Sequence, residues 1–257
     1  MKKILLTTAI ITALFSCKKE EAKTENKGGE FTGAHTSVHH GKAWSSTTIS
    51  KDGKPKKLTL VINDAALNSV PVGETTGDHS HTHDNDVIIP LHAKATTATP
   101  FQFIMLNWNP SGHEPAGVYT LPHFDIHFYM TTPAEVATYT DMVKLTTLPP
   151  AAYLPANHIA GPPVPKMGLH WIDITSPELS GAPFTQTFIY GSHDAKVVFY
   201  EPMITLDFLK NTNSFSRPIP QPAKFAKDGY YPTKMTVTKK DGASQISLED
   251  FVYRQAS

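Results

Sequence analysis

The chain has 257 residues, enough for one large or two small domains, and its 40% hydrophobic content supports a packed core. Twenty-three basic residues balance 23 acidic ones and form no basic stripe, which argues against nucleic acid as a partner. The 21 prolines outnumber the 15 glycines, which favours short strands joined by rigid turns over long helices.

Residues 1–16 have the layout of a secretion signal. Met1-Lys2-Lys3 is a basic start, and the apolar run that follows, up to Phe15, is too short to span a bilayer. Leu14-Phe15-Ser16-Cys17 resembles the bacterial lipobox, in which a small residue precedes a cysteine that becomes lipidated. Cys17 is the only cysteine, which excludes an internal disulfide. We predict a lipoprotein signal peptide over residues 1–16 and a membrane anchor at Cys17, with an ordinary secretory signal as the alternative.

Residues 17–30 contain almost nothing to bury and predict a flexible tether. The run Cys17-Lys18-Lys19-Glu20-Glu21 resembles the export tag that sends Bacteroidota lipoproteins to the outer face of the outer membrane. This similarity predicts an outer membrane lipoprotein exposed at the cell surface, and a generic charged tether is the alternative. Residues 31–257 show no internal repeat and no further boundary, so we predict a single domain there.

Short strand patterns with turn signals between them recur through this domain. The predicted strands are residues 43–50, 57–63, 87–92, 101–108, 122–130, 184–190, 196–200, 230–239 and 245–253. Pro90 places the third of these at an edge or a bulge. The fourth and fifth form a long central hairpin. We predict a mainly β fold, a single antiparallel β-sandwich or barrel-like domain with one or two short helices.

Two segments of this domain lack a strand pattern. Thr132, Pro133 and Glu135 supply an N-cap, a first-turn proline and a capping box, and they predict a helix that ends near residues 143–145. Residues 148–165 carry six prolines and predict a long irregular loop.

The loop at residues 75–86 alternates His79, His81 and His83 with acidic residues nearby. It suggests either loose capture of Zn²⁺, Cu²⁺ or Ni²⁺ or a solvated polar loop. The solvated loop is favoured, because no scaffold fixes the ligand geometry.

The most unusual segment is Pro122–Met130, which alternates strictly between polar and apolar residues. His123, Asp125, His127 and Tyr129 point to one face of the predicted strand, and the apolar residues between them point to the core. Two imidazoles and a carboxylate on one face are the ligand types of divalent metal sites. This strand therefore predicts a functional site.

Further ligands have to come from other strands. Acidic and histidine residues recur at His113-Glu114, His170-Trp171-Ile172-Asp173, His193-Asp194 and Glu201. We predict a site for a divalent ion, Zn²⁺ or Cu²⁺, made by His123, Asp125, His127, His170 and Glu201. Asp125 has a second possible role, that of orienting a ligand imidazole. His113 with Glu114 has an equally good explanation as part of a turn.

Three functions remain open at this stage. The first is a non-enzymatic surface lipoprotein, a monomer or a homo-oligomer, that binds a divalent metal or a small ligand. The second is a secreted enzyme with His123 or His127 as general base near Asp125. The third is a structural assembly role, in which buried polar pairs fix the strand register. No nucleophile elbow, phosphate loop or dinucleotide fingerprint is present in the sequence.

The same segments also resemble a known family. PHFDIHFYM, MGLHWID with the following SPE, and FIYGSHDAKVVFYEPMIT are similar to a bacterial family of secreted or lipid-anchored proteins of unknown function. Its Thermus member is controlled by an extracytoplasmic-stress sigma factor. The resemblance covers roughly residues 55–212 and implies a β-rich domain that self-associates. It supplies no activity and no catalytic residues.

Overall fold

The structure is a computed structural model that describes residues 28–72 and 85–257. The predicted signal peptide, Cys17, most of the tether, and the histidines His79, His81 and His83 lie outside the described residues. In the part that is described, no helix is both long enough and apolar enough to cross a membrane.

Sixteen strands, five short α-helices and two 3-10 helices (Ala151–Tyr153 and Pro177–Ser180) make up the regular structure of the described residues. The strands are β1 (Gly29–Thr32), β2 (Thr36–Val38), β3 (Gly41–Ile49), β4 (Pro55–Asn63), β5 (Asp86–Pro90), β6 (Phe103–Asn109), β7 (His123–Tyr129), β8 (His158–Val164), β9 (Gly168–Asp173), β10 (Gln186–His193), β11 (Lys196–Thr205), β12 (Ser214–Pro218), β13 (Gly229–Tyr231), β14 (Lys234–Lys240), β15 (Ala243–Glu249) and β16 (Val252–Arg254). The helices are α1 (Asp64–Ser69), α2 (Ala93–Ala98), α3 (Pro133–Val136), α4 (Met142–Thr146) and α5 (Leu206–Asn211).

Two large antiparallel sheets share one apolar core, and β13 and β16 pair in a small third sheet. Sheet I has the order β1-β3-β4-β15-β14-β12, with β2 beside β3, and sheet II has the order β5-β6-β7-β11-β10-β9-β8. Leu60 and Ile246 of sheet I and Ile104, Phe128 and Tyr200 of sheet II are buried together between them. Fully burying one such side chain contributes about 1.5–3 kcal/mol.

The predicted mainly β, antiparallel fold is therefore confirmed. Among the described residues, the two sheets stay separate and form a sandwich rather than a closed barrel. The prediction of one or two helices was too low, because the described chain has five.

The second face of sheet II is buried as well, although it points away from sheet I. We call it the outer face. All seven residues of β7 are buried, so its even-numbered side chains enter the core and its odd-numbered ones line the outer face. Residues 110–122 and 131–157, here called the outer layer, cover this face. From that layer Tyr139 packs with Tyr129 and Phe199.

The predicted helix at Thr132 begins as expected but is shorter. The Thr132 hydroxyl accepts a hydrogen bond from the N–H of Glu135 at 3.2 Å, yet α3 ends at Val136. Asp141 then caps a new helix, because its carboxylate accepts from the N–H groups of Val143 and Lys144. The strong cap at Asp141 divides the predicted helix into α3 and α4.

The sequence predicted a long irregular loop over residues 148–165, and the structure departs from that prediction. Its last part forms β8, which lies at the edge of sheet II beside β9. The pairing register shifts between Ala160 and Pro163, so the prolines lie where the ladder is already interrupted. An edge strand with a bulge tolerates residues that cannot donate a hydrogen bond.

Candidate metal centres

The strand β7 brings polar side chains together because its neighbours present the same face at the same level. Met203 of β11 lies opposite Asp125, and the same antiparallel register places Glu201 opposite His127. The outer face therefore carries one acid on β7 and another on β11, and the two acids belong to neighbouring cross-strand pairs on that face. Both acids are almost completely buried, with Asp125 0% and Glu201 1% exposed.

The first triad consists of His113, His123 and Asp125. His113 Nε2 lies 3.3 Å from Asp125 Oδ2, and His123 Nε2 lies 3.1 Å from Asp125 Oδ1. The amide of Asn109 donates a hydrogen bond to Asp125 Oδ2 at 2.8 Å. Donor atoms bonded tetrahedrally to one zinc ion at 2.0–2.1 Å are about 3.3 Å apart, which matches these spacings.

Main-chain carbonyls fix the orientation of both imidazoles in the first triad. His113 Nδ1 is 2.7 Å from the carbonyl of Glu114, and His123 Nδ1 is 2.7 Å from the carbonyl of Leu121. A carbonyl only accepts, so each Nδ1 carries the proton and each Nε2 faces the carboxylate. An Nδ1–H donated to a backbone carbonyl is the usual way in which proteins orient a histidine that binds metal through Nε2.

Without a metal, the first triad holds an ion pair. Burial favours a raised pKa for Asp125, but the charges of His123 and His113 outweigh burial and hold that pKa well below its ordinary value. Burial likewise opposes protonation of His113, yet the Asp125 carboxylate prevails and raises the pKa of His113. A metal ion entering here has to displace a proton from the imidazole side of the pair.

The second triad consists of His127, His170 and Glu201. His127 Nε2 lies 3.4 Å from Glu201 Oε1, and His170 Nε2 lies 3.6 Å from Glu201 Oε2. His170 comes from β9, where it pairs with Gly191 of β10. In each triad, one donor atom per residue lies within 4.8 Å of the other two.

The second triad has the opposite charge state. Burial, reinforced by the charge of Asp125, raises the pKa of Glu201 well above its ordinary value. Burial, reinforced by His127, lowers the pKa of His170 to about 3. The metal-free second triad therefore contains a protonated carboxyl group and a neutral imidazole. Neutral imidazole is the form that binds a metal, and the metal would replace the proton of Glu201.

The structure places all five predicted ligands on one buried face but divides them between two sites. His123 and Asp125 belong to the first triad, whereas His127, His170 and Glu201 form the second. The physical reason is strand geometry: residues four apart on a strand are separated by about 13 Å, too far to share an ion. Where the sequence predicted one group of ligands, the structure has two groups, each of which could hold an ion.

His113 was missing from the predicted ligands. It lies in the loop between β6 and β7, and that loop folds back over the outer face. The only signal in the sequence was a histidine close to a strand that already carried two others.

Two further candidates have other partners: His193 stacks on Tyr139 with ring centroids 3.6 Å apart, and Asp173 accepts hydrogen bonds from Thr175.

A small cavity of about 20 Å³ lies between the triads and the outer layer. Its walls are His113, Glu114, Tyr119, Pro162, His170, Ile172, Ile189, Glu201 and Met203. A cavity needs about 10–15 Å³, measured in the same way, to hold one water molecule. This space admits a water molecule or a small ion, and it is too small for an organic substrate.

Fold and site together define a protein class: an antiparallel β-sandwich whose outer face carries, in the described residues, two buried triads of two imidazoles and one carboxylate each. Either triad could hold a metal ion. No family model, no curated protein and no solved structure matches the chain.

Proposed function

We propose that this protein binds divalent transition metal ions in the first and second triads. The observation that carries the proposal is the orientation of the first triad. Both Nδ1 atoms there point at main-chain carbonyls, and both Nε2 atoms converge on the Asp125 oxygens at 3.1 and 3.3 Å. The second triad repeats the same ligand set on the same buried face.

The ligand set favours Zn²⁺ or Cu²⁺. Imidazole nitrogen suits zinc and copper, whereas Ca²⁺ and Mg²⁺ prefer sites made of oxygen ligands alone. Two histidines and one carboxylate also form one of the known three-ligand sets of zinc. The 20 Å³ cavity weighs against the enzyme hypothesis for any organic substrate, because a general base without room for its substrate has nothing to act on.

We further propose that the protein is an outer membrane lipoprotein anchored through Cys17 and displayed at the cell surface. The lipobox-like LFSC and the export-tag-like CKKEE support this location. The resemblance to the secreted or lipid-anchored family also supports it and adds self-association as a homo-oligomer.

The anchor is tested by Cys17→Ser. We expect the wild-type protein to incorporate radiolabelled palmitate in a lipoprotein-processing host and to sediment with outer membranes, because each buried methylene adds about 0.8 kcal/mol of membrane affinity. The variant should lose both properties. Replacing Lys19, Glu20 and Glu21 with alanine is the matched control, which should keep the lipid and lose accessibility to external protease. A wild-type chain that takes up no palmitate contradicts the anchor.

Metal binding is tested by elemental analysis of protein purified without a histidine tag. His79, His81 and His83 should first be changed to serine, so that the loop contributes no adventitious metal. We expect about two Zn²⁺ per chain after dialysis against micromolar zinc, one for each set of three protein ligands.

His123→Ala and His170→Ala should each lower the metal content to about one per chain, because each removes a ligand from one triad only. His40→Ala, at an exposed position, should change nothing. Binding below about 0.1 Zn²⁺ or Cu²⁺ per chain, with no rise in melting temperature on adding either ion, contradicts the proposal. The histidines would then be buried polar pairs that fix strand register.

A further inference from the structure

The wall of the cavity beside the second triad carries a buried hydroxyl group that forms no hydrogen bond within the described residues. Tyr119 is 1% exposed, and its hydroxyl makes no hydrogen bond to any residue that the structure describes. Tyr119 lines the same cavity as His170 and Glu201. A buried hydroxyl without a partner costs about 1–3 kcal/mol, so we expect a bound ligand to supply the partner.

The two triads differ in their access to this cavity. His170 and Glu201 of the second triad line it, whereas His113 is the one member of the first triad that does. Glu201 Oε2 is a second buried atom of this wall that lacks a hydrogen bond among the described residues. A zinc ion with three protein ligands has one position left for water or another small ligand.

We propose that a metal ion in the second triad keeps one coordination position open to this cavity, and that the Tyr119 hydroxyl donates a hydrogen bond to the water or small anion bound there. The inference rests on the proposed metal-binding function and adds a second ligand class to it. A tyrosine hydroxyl carries its own proton and can donate it in a hydrogen bond.

The cavity limits what this position accepts. Its volume of about 20 Å³ suits one water molecule or hydroxide, or part of a short linear anion. Ile172 and Ile189 make part of its wall apolar, and Glu114 also lines it. The ligand class is therefore water, hydroxide or a compact monovalent anion.

The test uses the full chain loaded with Co²⁺, whose visible absorption reports the coordination of each site, and azide as the probe. We expect azide to change the spectrum of the wild-type protein and of His123→Ala, which keeps the second triad. His170→Ala, which keeps only the first triad, should not respond. Circular dichroism checks that both variants fold.

Tyr119→Phe is expected to fold normally, because it removes only a hydroxyl that has no partner in the described protein. We expect unchanged cobalt content and a dissociation constant for azide raised about fivefold, the size of one lost hydrogen bond. A protein that holds two Co²⁺ but ignores azide, or responds only through the first triad, overturns the open site and leaves metal binding intact. Unchanged azide affinity in Tyr119→Phe overturns the role of Tyr119. Failure to take up Co²⁺ contradicts the proposed function and this inference together.

Discussion

Asp125→Ala is expected to lower the free energy of unfolding of the metal-free protein by about 3–5 kcal/mol. The carboxylate is fully buried and faces both His113 and His123 at 3.3 Å or less. Its removal leaves imidazole groups buried without their counter-charge. Urea denaturation measures the loss.

The controls for this substitution separate shape from charge. Asp125→Asn keeps the shape and removes only the charge, and it should cost most of the same amount. Asp52→Ala breaks the exposed pair between Asp52 and Lys54 and should leave the stability nearly unchanged. If Asp125→Ala lowers the free energy of unfolding no more than Asp52→Ala does, the ion-pair description of the first triad is wrong.

The same pair gives the metal-free protein a defined pH dependence. The lowered pKa of Asp125 contributes stability that is present above its unfolded value, about 3.9, and is lost as the pH falls through the folded value. The raised pKa of His113 contributes stability that is complete below about 6.5 and is lost as the pH rises through its folded value. The pair therefore stabilises most between about pH 4 and 6.5, and Asp125→Asn should remove this maximum.

Gly191→Ala is the second substitution with a large expected effect, a loss of about 3 kcal/mol. A Cβ atom at Gly191 would lie 1.8 Å from the Phe199 ring, and that ring contacts His127 and His170 with centroids 4.9 and 5.4 Å away. The backbone of a central strand cannot retreat, so the ring must move. Urea denaturation should show the loss in stability, and elemental analysis should show weaker metal binding at the second triad.

A double substitution tests the cause of this effect. Adding Phe199→Leu should restore about 1 kcal/mol of the loss, because the smaller side chain makes room for the new methyl group. Gly29→Ala is the matched glycine control, since nothing lies within 4 Å of a Cβ atom there. Strictly additive effects of the two substitutions at 191 and 199 would show that the ring is not the obstacle.

Local patterns predicted most of the sandwich. Alternation in β7 assigned Phe124 and Phe128 to the core and His123 and Asp125 to the other face, and the structure agrees. A single strand's pattern says nothing about what covers its second face. The alternation in β7 therefore does not indicate that the outer layer covers its polar face.

The site was harder to predict because its ligands depend on pairing between distant strands. His170 reaches Glu201 only because β9, β10 and β11 are adjacent in that order. His113 reaches Asp125 only because a loop folds back, and loop conformation is not encoded in alternation. Strand spacing argues against the single site that the sequence predicted, since His123 and His127 are too far apart for one ion.

The place of His113 in the outer layer has a mechanical consequence. His113 lies in segment 110–122, whereas His123 and Asp125 belong to sheet II, so an ion in the first triad would be a cross-link between the loop and the sheet. Cys17 is the only cysteine, so the chain cannot form an internal disulfide for this purpose. A metal ion would supply a cross-link of the kind that a disulfide supplies in other proteins. Loading it would lower the equilibrium population of the open loop by a factor that grows with the ratio of metal concentration to dissociation constant.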